Sequence, residues 1–306
     1  GHGGWQVADF ACNNFVNVLM PRVVHLTPTD EKSITASLER AFSDIEKSYI
    51  DSVRNTYRLG FREVGKVGAC ALLALRSGQD LYIANCGDCR AVLGSTLAPF
   101  KGVAGQASQD SSGGRGAVGR YTSTRLSRDH NARTPLEALL LREAHPGEDD
   151  IIKCKNPHAC YVKGRLQLTR ALGDLYLKFA EFNTPKTGSK SGGRHIPAPY
   201  SPPYVSSQPE INHVELDKRD QFLILASDGV WDFLSDQEAV EVVAASVAKH
   251  DGCTEHAAQD LVEATLARAA ELNNMSLVEL KAVKEGSERR KRYDDTTAVV
   301  MFFDNK

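Results

Sequence analysis

The chain has 306 residues, with 37 basic and 39 acidic side chains and a formal net charge of −2. This balance leaves no overall basic field that would attract nucleic acid or an anionic lipid surface. No stretch of about 18 apolar residues occurs, so the sequence predicts no membrane span. The short basic run at 288–292 is interpreted as a solvated segment before a strand, so we expect no nucleic-acid partner.

The seven cysteines are an odd number spread along the chain. This usage favours free thiols in a reducing compartment over a disulfide framework. We therefore expect an intracellular protein, in either the cytoplasm or the mitochondrion. Cys86 and Cys89 have the spacing of a redox or zinc pair. Because no second pair has matching spacing, a strand end followed by a turn is the simpler interpretation.

Two helices are predicted at the start of the chain. Residues 3–24 place apolar side chains on one face at helical spacing. A second helix follows Thr29 or Asp30, either of which can cap it. Its apolar stripe consists of Ile34, Leu38, Phe42, Ile45 and Tyr49.

The apolar period then changes from that of a helix to that of strands. Turn residues separate three short runs, "ACALLALR", "LYIANCGD" and "CRAVLG". Such runs predict a meander of antiparallel strands. Residues 105–119 are rich in glycine and serine without an apolar period, which predicts a mobile surface loop.

The rest of the chain alternates between blocks of strands and blocks of helices. Predicted helices cover 134–145, 236–249 and 254–273, and predicted strands are "DIIKC", "ACYVKGRLQL", "NHVEL", "QFLILA" and "TTAVVMFF". The polar segment 176–208 is too long for an ordinary loop, which is typical of a functional or disordered region. This block arrangement favours an α+β fold with antiparallel sheets, and the lack of a clear linker favours a single domain over 1–306.

Four aspartates stand where a strand pattern stops or a turn begins: Asp129, Asp228, Asp232 and Asp294. Any one of them alone is typical of a turn residue or a helix cap. Several carboxylates in one cleft would repel each other unless a divalent cation neutralised them. Oxygen ligands suit magnesium or manganese, and two such ions can activate a water for attack on phosphorus.

Six motifs occur in order along the chain: "GHGG" at 1–4, "GDCRAVL" at 87–93, "LSRDHN" at 126–131, "QLTRALGD" at 167–174, "ASDGVWD" at 226–232 and "DDTT" at 294–297. Together they resemble the metal-dependent protein Ser/Thr phosphatases of the PPM family, type 2C, over nearly the whole chain. The stretches "DHNA", "EHP" and "PPYVSSQPE" are similar to the pyruvate dehydrogenase phosphatase branch, whereas "RALGDLYLK" and "RRKRYDDTT" are similar to a plant branch. Both branches stay open.

The resemblance implies a fold and a set of metal ligands. The fold would be two antiparallel β-sheets packed as a sandwich and flanked by helix pairs, an α-β-β-α arrangement. Asp228 and Asp294 would bind the first Mg²⁺ or Mn²⁺ ion, and the carbonyl group of Gly1 would bind the second. Asp129 and Asp232 would serve a weaker third site.

The resemblance also implies roles outside the metal ligands. His2 would protonate the leaving oxygen, although a solvated terminal side chain is the simpler interpretation of this residue. Asp88 and Asp174 are interpreted as structural turn residues. The segment 176–208 would be the flap beside the cleft, which influences the choice of substrate.

The family pattern begins upstream of Gly1, with a phosphate-binding arginine, a Glu-Asp pair and an aspartate that bridges both metals. We therefore expect a fragment that lacks the first strands of one sheet. A cationic α-amino group at Gly1 would oppose metal binding there.

The expected function is the hydrolysis of phosphoserine and phosphothreonine in phosphoprotein substrates, by a monomer, at a binuclear Mg²⁺ or Mn²⁺ site. The alternative is an inactive phosphatase-like binding module. The presence of all four downstream aspartates favours the enzyme.

Overall fold

The computed structural model describes residues 1–27, 30–97, 121–157, 159–184 and 195–303. The helices are α1 (Gln6–Val23), α2 (Glu31–Arg58), α3 (Pro135–Ala144), α4 (Asp228–Trp231), α5 (Asp236–Lys249), α6 (Ala257–Leu272), α7 (Leu277–Lys281) and α8 (Ser287–Arg290). The strands are β1 (Gly68–Ala69), β2 (Ala71–Ser77), β3 (Asp80–Cys86), β4 (Arg90–Thr96), β5 (Tyr121–Arg125), β6 (Ile152–Asn156), β7 (Ala159–Val162), β8 (Leu172–Gly173), β9 (Glu210–Glu215), β10 (Asp220–Ala226) and β11 (Ala298–Phe302). The predicted loop at 105–119 lies outside the described residues, as do residues 185–194 of the predicted flap.

The chain divides into two compact units. Unit 1 comprises Gly1–Cys89 and Ser127–Glu215, and unit 2 comprises Arg90–Leu126 and Leu216–Lys306. The single domain over 1–306 stays a prediction.

In unit 1 the two long helices pack through aromatic side chains. The rings of Phe15 and Phe42 lie edge to face with their centroids 4.8 Å apart. The Asp30 carboxylate accepts a hydrogen bond of 3.1 Å from the backbone of Ser33, so Asp30 caps α2 as predicted. The whole predicted stripe of α2 is buried in the core of the unit. Helical periodicity therefore identified the buried face correctly.

Unit 1 also contains an antiparallel sheet of order β2-β3-β9 and the hairpin β6–β7. Cys154 and Cys160 face each other across that hairpin and form a disulfide. The prediction that all seven cysteines are free thiols was wrong for this pair. Strand pairing places the two residues side by side, which their spacing in the sequence did not indicate.

Unit 2 is built on an antiparallel sheet of order β11-β10-β4-β5. Since β10 pairs with β11 on one side and β4 on the other, its run Phe222–Ala226 lies inside the sheet. Helices α5 and α6 contribute Val240, Val243 and Leu261 to the same core. Ser235 and Glu238 form a capping box at the start of α5, where their side chains bond each other's backbone N–H groups.

The third strand of the predicted meander pairs differently from the prediction. The partners of β4 are β5 and β10, so β4 does not extend the β2–β3 hairpin. Local alternation shows that a strand exists but contains little information about its partner. The α+β fold class with antiparallel sheets is confirmed. Within the described ranges, each helix is too short or too polar to cross a bilayer.

Candidate active site

Two of the predicted ligands, Asp228 and Asp294, follow and precede neighbouring antiparallel strands of unit 2. Ala226 and Ala298 are paired in the register of β10 and β11, so the residues just beyond them share one edge of the sheet. The backbone N–H of Ser227 donates to the carbonyl of Thr297 at 3.0 Å and extends this pairing beyond the strands. The structure therefore brings the segments that contain Asp228 and Asp294 together.

Gly229 allows these two segments to approach closely. A Cβ atom at this position would lie 2.6 Å from the carbonyl oxygen of Asp295 and 2.9 Å from Oγ1 of Thr296. The Thr296 hydroxyl donates to the carbonyl of Gly229 at 3.4 Å. The glycine next to Asp228 thus determines the distance between the two strand ends.

Asp228 begins α4, and Asp232 lies directly after this short helix. The backbone N–H of Asp232 donates to the carbonyl of Asp228 at 2.8 Å, so the two acids are one helical turn apart. The side chain of Asp294 is 43% exposed, and Nε of Arg290 lies 3.7 Å from its Oδ1. These carboxylates therefore occupy a partly hydrated edge of unit 2.

Gly1 and His2 belong to unit 1. The backbone of His2 forms an antiparallel bridge with Gly68, with hydrogen bonds of 2.8 and 3.0 Å. Nε2 of the His2 imidazole lies 2.6 Å from Oδ2 of Asp174. His2 is therefore tied to the fold through both its backbone and its side chain, which differs from a solvated terminal residue.

Asp129 also belongs to unit 1, and both of its neighbours bond to Glu210. Nε of Arg128 donates to Oε2 of Glu210 at 2.7 Å, and Nε2 of His130 lies 3.3 Å from the same oxygen. The backbone N–H of Gly87 donates to Nδ1 of His130 at 3.2 Å, so the proton on Nε2 is the one donated to Glu210. Burial raises the pKa of Glu210, but the hydrogen bonds from His130 and Arg128 outweigh it and lower that pKa to about 2. An ionised Glu210 thus holds both sides of Asp129.

Asp88 connects the turn after β3 to the segment that follows Asp129. Its carboxylate accepts a hydrogen bond of 3.1 Å from the amide of Asn131 and one of 3.3 Å from the thiol of Cys70. These contacts are consistent with the structural role predicted for Asp88.

The chemistry of the predicted ligands suits a hard divalent cation, because aspartates and a backbone carbonyl present only oxygen atoms. In unit 2 the strand register brings two of these acids to one edge. Across the described part of the chain, no group of three or more His, Cys, Asp or Glu side chains is arranged to hold a metal ion. The oxygen donors and the paired segments of Asp228 and Asp294 therefore fit a Mg²⁺ or Mn²⁺ ion. The full set of ligands and the number of ions stay predictions.

Residues 1–274 match the sequence model of the family described as "Protein phosphatase 2C". The chain belongs to the protein phosphatase 2C family.

Curated relatives and solved structures agree with this assignment. Probable protein phosphatase 2C 64 of Arabidopsis thaliana is 32% identical over 304 residues, which cover 99% of this chain and 68% of that protein. Probable protein phosphatase 2C 43 of Oryza sativa subsp. japonica is 33% identical over 306 residues, which cover 100% of this chain and 70% of that protein.

Among solved structures, serine-threonine phosphatase 2C from Toxoplasma gondii matches with a TM-score of 0.56 at 18% identity, covering 97% of this chain and 81% of that chain. A C. elegans sex determining protein matches with a TM-score of 0.63 at 16% identity, covering 98% of this chain and 54% of that chain. At these identities the structural likeness shows the fold.

This phosphatase is a hydrolase that acts on phosphoserine and phosphothreonine in proteins and, like its family, depends on metal ions. The predicted family, type and reaction are confirmed. The resemblance to the pyruvate dehydrogenase phosphatase branch is not confirmed.

The sequence did not predict the contacts that two residues, Asp174 and Glu210, make with the predicted site residues or their neighbours. Asp174 was interpreted as a turn residue, yet its carboxylate contacts His2. Glu210 lies in the stretch "PPYVSSQPE" without any role, yet it bonds both neighbours of Asp129. The sequence offers a weak signal for Asp174 only, since an acid in a glycine turn could accept hydrogen bonds from elsewhere in the fold.

Proposed function

We propose that this phosphatase uses two Mg²⁺ or Mn²⁺ ions to hydrolyse its substrates, with Asp228 and Asp294 as carboxylate ligands of one of them. The observation that supports this most is the pairing of Ala226 with Ala298, which brings the two acids to one sheet edge. Rigid strand ends suit this task, because metal ligands must be held in position before the ion arrives.

The remaining predicted residues complete the proposal. The carbonyl group of Gly1 would serve the second ion, and Asp129 and Asp232 would serve a weaker third one. When bound, such ions supply positive charge that lowers the pKa of a water and balances the charge of the phosphate. His2 would hold the proton that the leaving oxygen requires.

Other residues of the protein hold the proposed metal ligands and His2 in position. Gly229 sets the approach of the Asp228 and Asp294 segments, and Glu210 holds the neighbours of Asp129. The bridge between His2 and Gly68 holds the first residues of the chain against β1. Each group therefore depends on contacts within its own unit.

The proposal is tested by removing the metal and, separately, its ligands. A phosphothreonine peptide should be hydrolysed with added Mn²⁺ and not after chelation with EDTA. Asp228→Asn and Asp294→Asn should each bind Mn²⁺ more weakly by calorimetry and lose at least about 100-fold in turnover, since even the residues that support a metal ligand contribute about 10–100-fold.

Asp217→Asn is the matched control, because Asp217 is an exposed aspartate of unit 2 that is paired with Arg219. This variant should keep both Mn²⁺ affinity and turnover. Unchanged Mn²⁺ affinity in both Asp228→Asn and Asp294→Asn would contradict the proposed ligand set, and activity that survives EDTA would contradict the use of metal.

A further inference from the structure

The carboxylate of Asp174 is an unusual group for a folded protein. Its side chain is wholly buried, whereas that of His2 is 23% exposed. Oδ2 contacts His2, and Oδ1 has no hydrogen-bond partner in the described part of the chain. A buried carboxylate with an unpaired oxygen is costly, so a native structure that retains one requires an explanation.

The backbone around this contact is shaped to allow it. Asp174 has a φ of 48°, a left-handed conformation that residues other than glycine seldom adopt. A Cβ atom on Gly68 would overlap both Oδ2 of Asp174 and Nε2 of His2. Glycine is therefore the residue type that fits at position 68, next to the pair. Left-handed backbone strain such as that of Asp174 is concentrated at functional sites.

We propose that Asp174 is a positioning residue that orients the His2 imidazole for proton transfer to the leaving oxygen of the substrate. With Nε2 donating to Asp174, the ring is held in one orientation and Nδ1 is the nitrogen that remains to face a ligand. The proposal rests on the role given to His2 in the proposed function.

The bond between phosphorus and the ester oxygen breaks, and its electron pair goes to that oxygen, which takes the proton from Nδ1 of the imidazolium. A water oxygen forms the new bond to phosphorus and releases its own proton to solvent. His2 is left neutral, with its Nε2–H still donated to Asp174, so the ring keeps its orientation between turnovers.

A second histidine–aspartate pair in unit 1 provides a matched comparison. Nε2 of His213 lies 2.7 Å from Oδ1 of Asp80, and the His213 side chain is also 23% exposed. Asp80 is the first residue of β3 and pairs with Ser77 at the end of β2. Gly68 precedes the start of β2, so the two histidine–aspartate contacts lie towards opposite ends of this strand. Asp80→Asn therefore removes the charge from a contact of the same kind, at a site away from His2 and Asp174.

The test compares two substrates that differ in the need for an acid. In a phosphothreonine peptide the threonine oxygen is a poor leaving group unless it is protonated. In p-nitrophenyl phosphate the p-nitrophenolate leaves without a proton. Asp174→Asn and Asp174→Gly should lose about 100-fold in kcat on the peptide, the lower range for general acid catalysis, and only a few-fold on p-nitrophenyl phosphate. Asp80→Asn should change neither rate.

Folding is checked separately by thermal unfolding and by Mn²⁺ calorimetry. Glycine and asparagine both tolerate the left-handed backbone at position 174, so these variants should fold. Each substitution is then repeated in a His2→Asn background, where it should have no further effect on the peptide rate. An equal loss on both substrates, or a loss that persists without His2, would overturn the proposal.

The outcomes also separate this inference from the proposed function. If His2→Asn is selective for the peptide and the Asp174 variants are not, the positioning role fails and the role of His2 stands. If His2→Asn shows no selectivity, the role of His2 fails and the inference fails with it. The metal ligands are judged independently, through Mn²⁺ affinity in Asp228→Asn and Asp294→Asn.

Discussion

Asp228 and Asp294, at one edge of the unit 2 sheet, differ from Asp174, which contacts His2, in how they are held and in how far they are exposed. In unit 2 the backbone of Ser227 and Asp232 makes the contacts that fix the position of Asp228, and the side chain of Asp294 is 43% exposed. In unit 1 the carboxylate of Asp174 is wholly buried and its side chain makes the contact. A partly hydrated carboxylate can exchange water for a cation at little cost, whereas a buried carboxylate has already lost its water and depends on one fixed partner.

Gly229→Ala should cause the largest loss of folding stability, because it adds a methyl group where the segments of Asp228 and Asp294 approach most closely. The added methyl group meets the carbonyl of Asp295, which belongs to the backbone and cannot rotate away. We expect a loss of about 1–3 kcal/mol in the free energy of unfolding, measured with urea, together with weaker Mn²⁺ binding by calorimetry.

Gly252→Ala is the control for this substitution. Gly252 has a φ of 88° and open space around it, so an alanine there strains the backbone without a clash. This variant should lose stability but keep Mn²⁺ affinity. If Gly229→Ala bound Mn²⁺ normally, the close approach of the two segments would have no bearing on the metal.

A smaller effect should follow Glu210→Gln, which examines the segment around Asp129. The substitution replaces charge-assisted hydrogen bonds from Arg128 and His130 with neutral ones, so we expect a loss of about 1–3 kcal/mol in unfolding free energy at pH 7. The folded-state pKa of Glu210 is about 2, below the ordinary value of 4.5. Its contribution is therefore complete above about pH 4.5 and is lost as the pH falls towards 2.

The measurement is denaturant unfolding of both proteins from pH 7 to pH 3, where the difference between them should narrow below about pH 4.5. Glu215→Gln, on the same strand but exposed, is the control and should unfold like the parent protein at every pH. A constant difference across this range would show that the charge of Glu210 does not stabilise the fold.

The smallest effect should come from Asp232→Asn. Asp232 is exposed and follows α4, one helical turn from Asp228. As a predicted ligand of the weaker third ion, it should matter less than Asp228: turnover at saturating Mn²⁺ should fall by less than about 10-fold, while the Mn²⁺ concentration for half-maximal rate rises. A loss as large as that of Asp228→Asn would mean that both acids serve the same ion.

The elements of secondary structure could be predicted where their pattern is local. The stripe of α2, its cap at Asp30 and the bounds of α5 agree with the sequence, because helical periodicity and capping depend on residues a few positions apart. The order of the motifs was sufficient to predict the family and the reaction, since each motif is a short stretch that can be recognised without its partners.

The sequence by itself therefore determined most of the longer helices and strands, and which acidic residues offer oxygen atoms that suit a divalent cation. Only the tertiary structure decided that β4 pairs with β10, that Cys154 faces Cys160, and that Asp174 meets His2 across 172 positions of sequence. The physical reason is that periodicity reports the face a residue occupies, whereas strand pairing and buried polar contacts depend on which distant segment packs there. A buried carboxylate such as that of Asp174 looks like an ordinary turn residue until the fold places an imidazole against it.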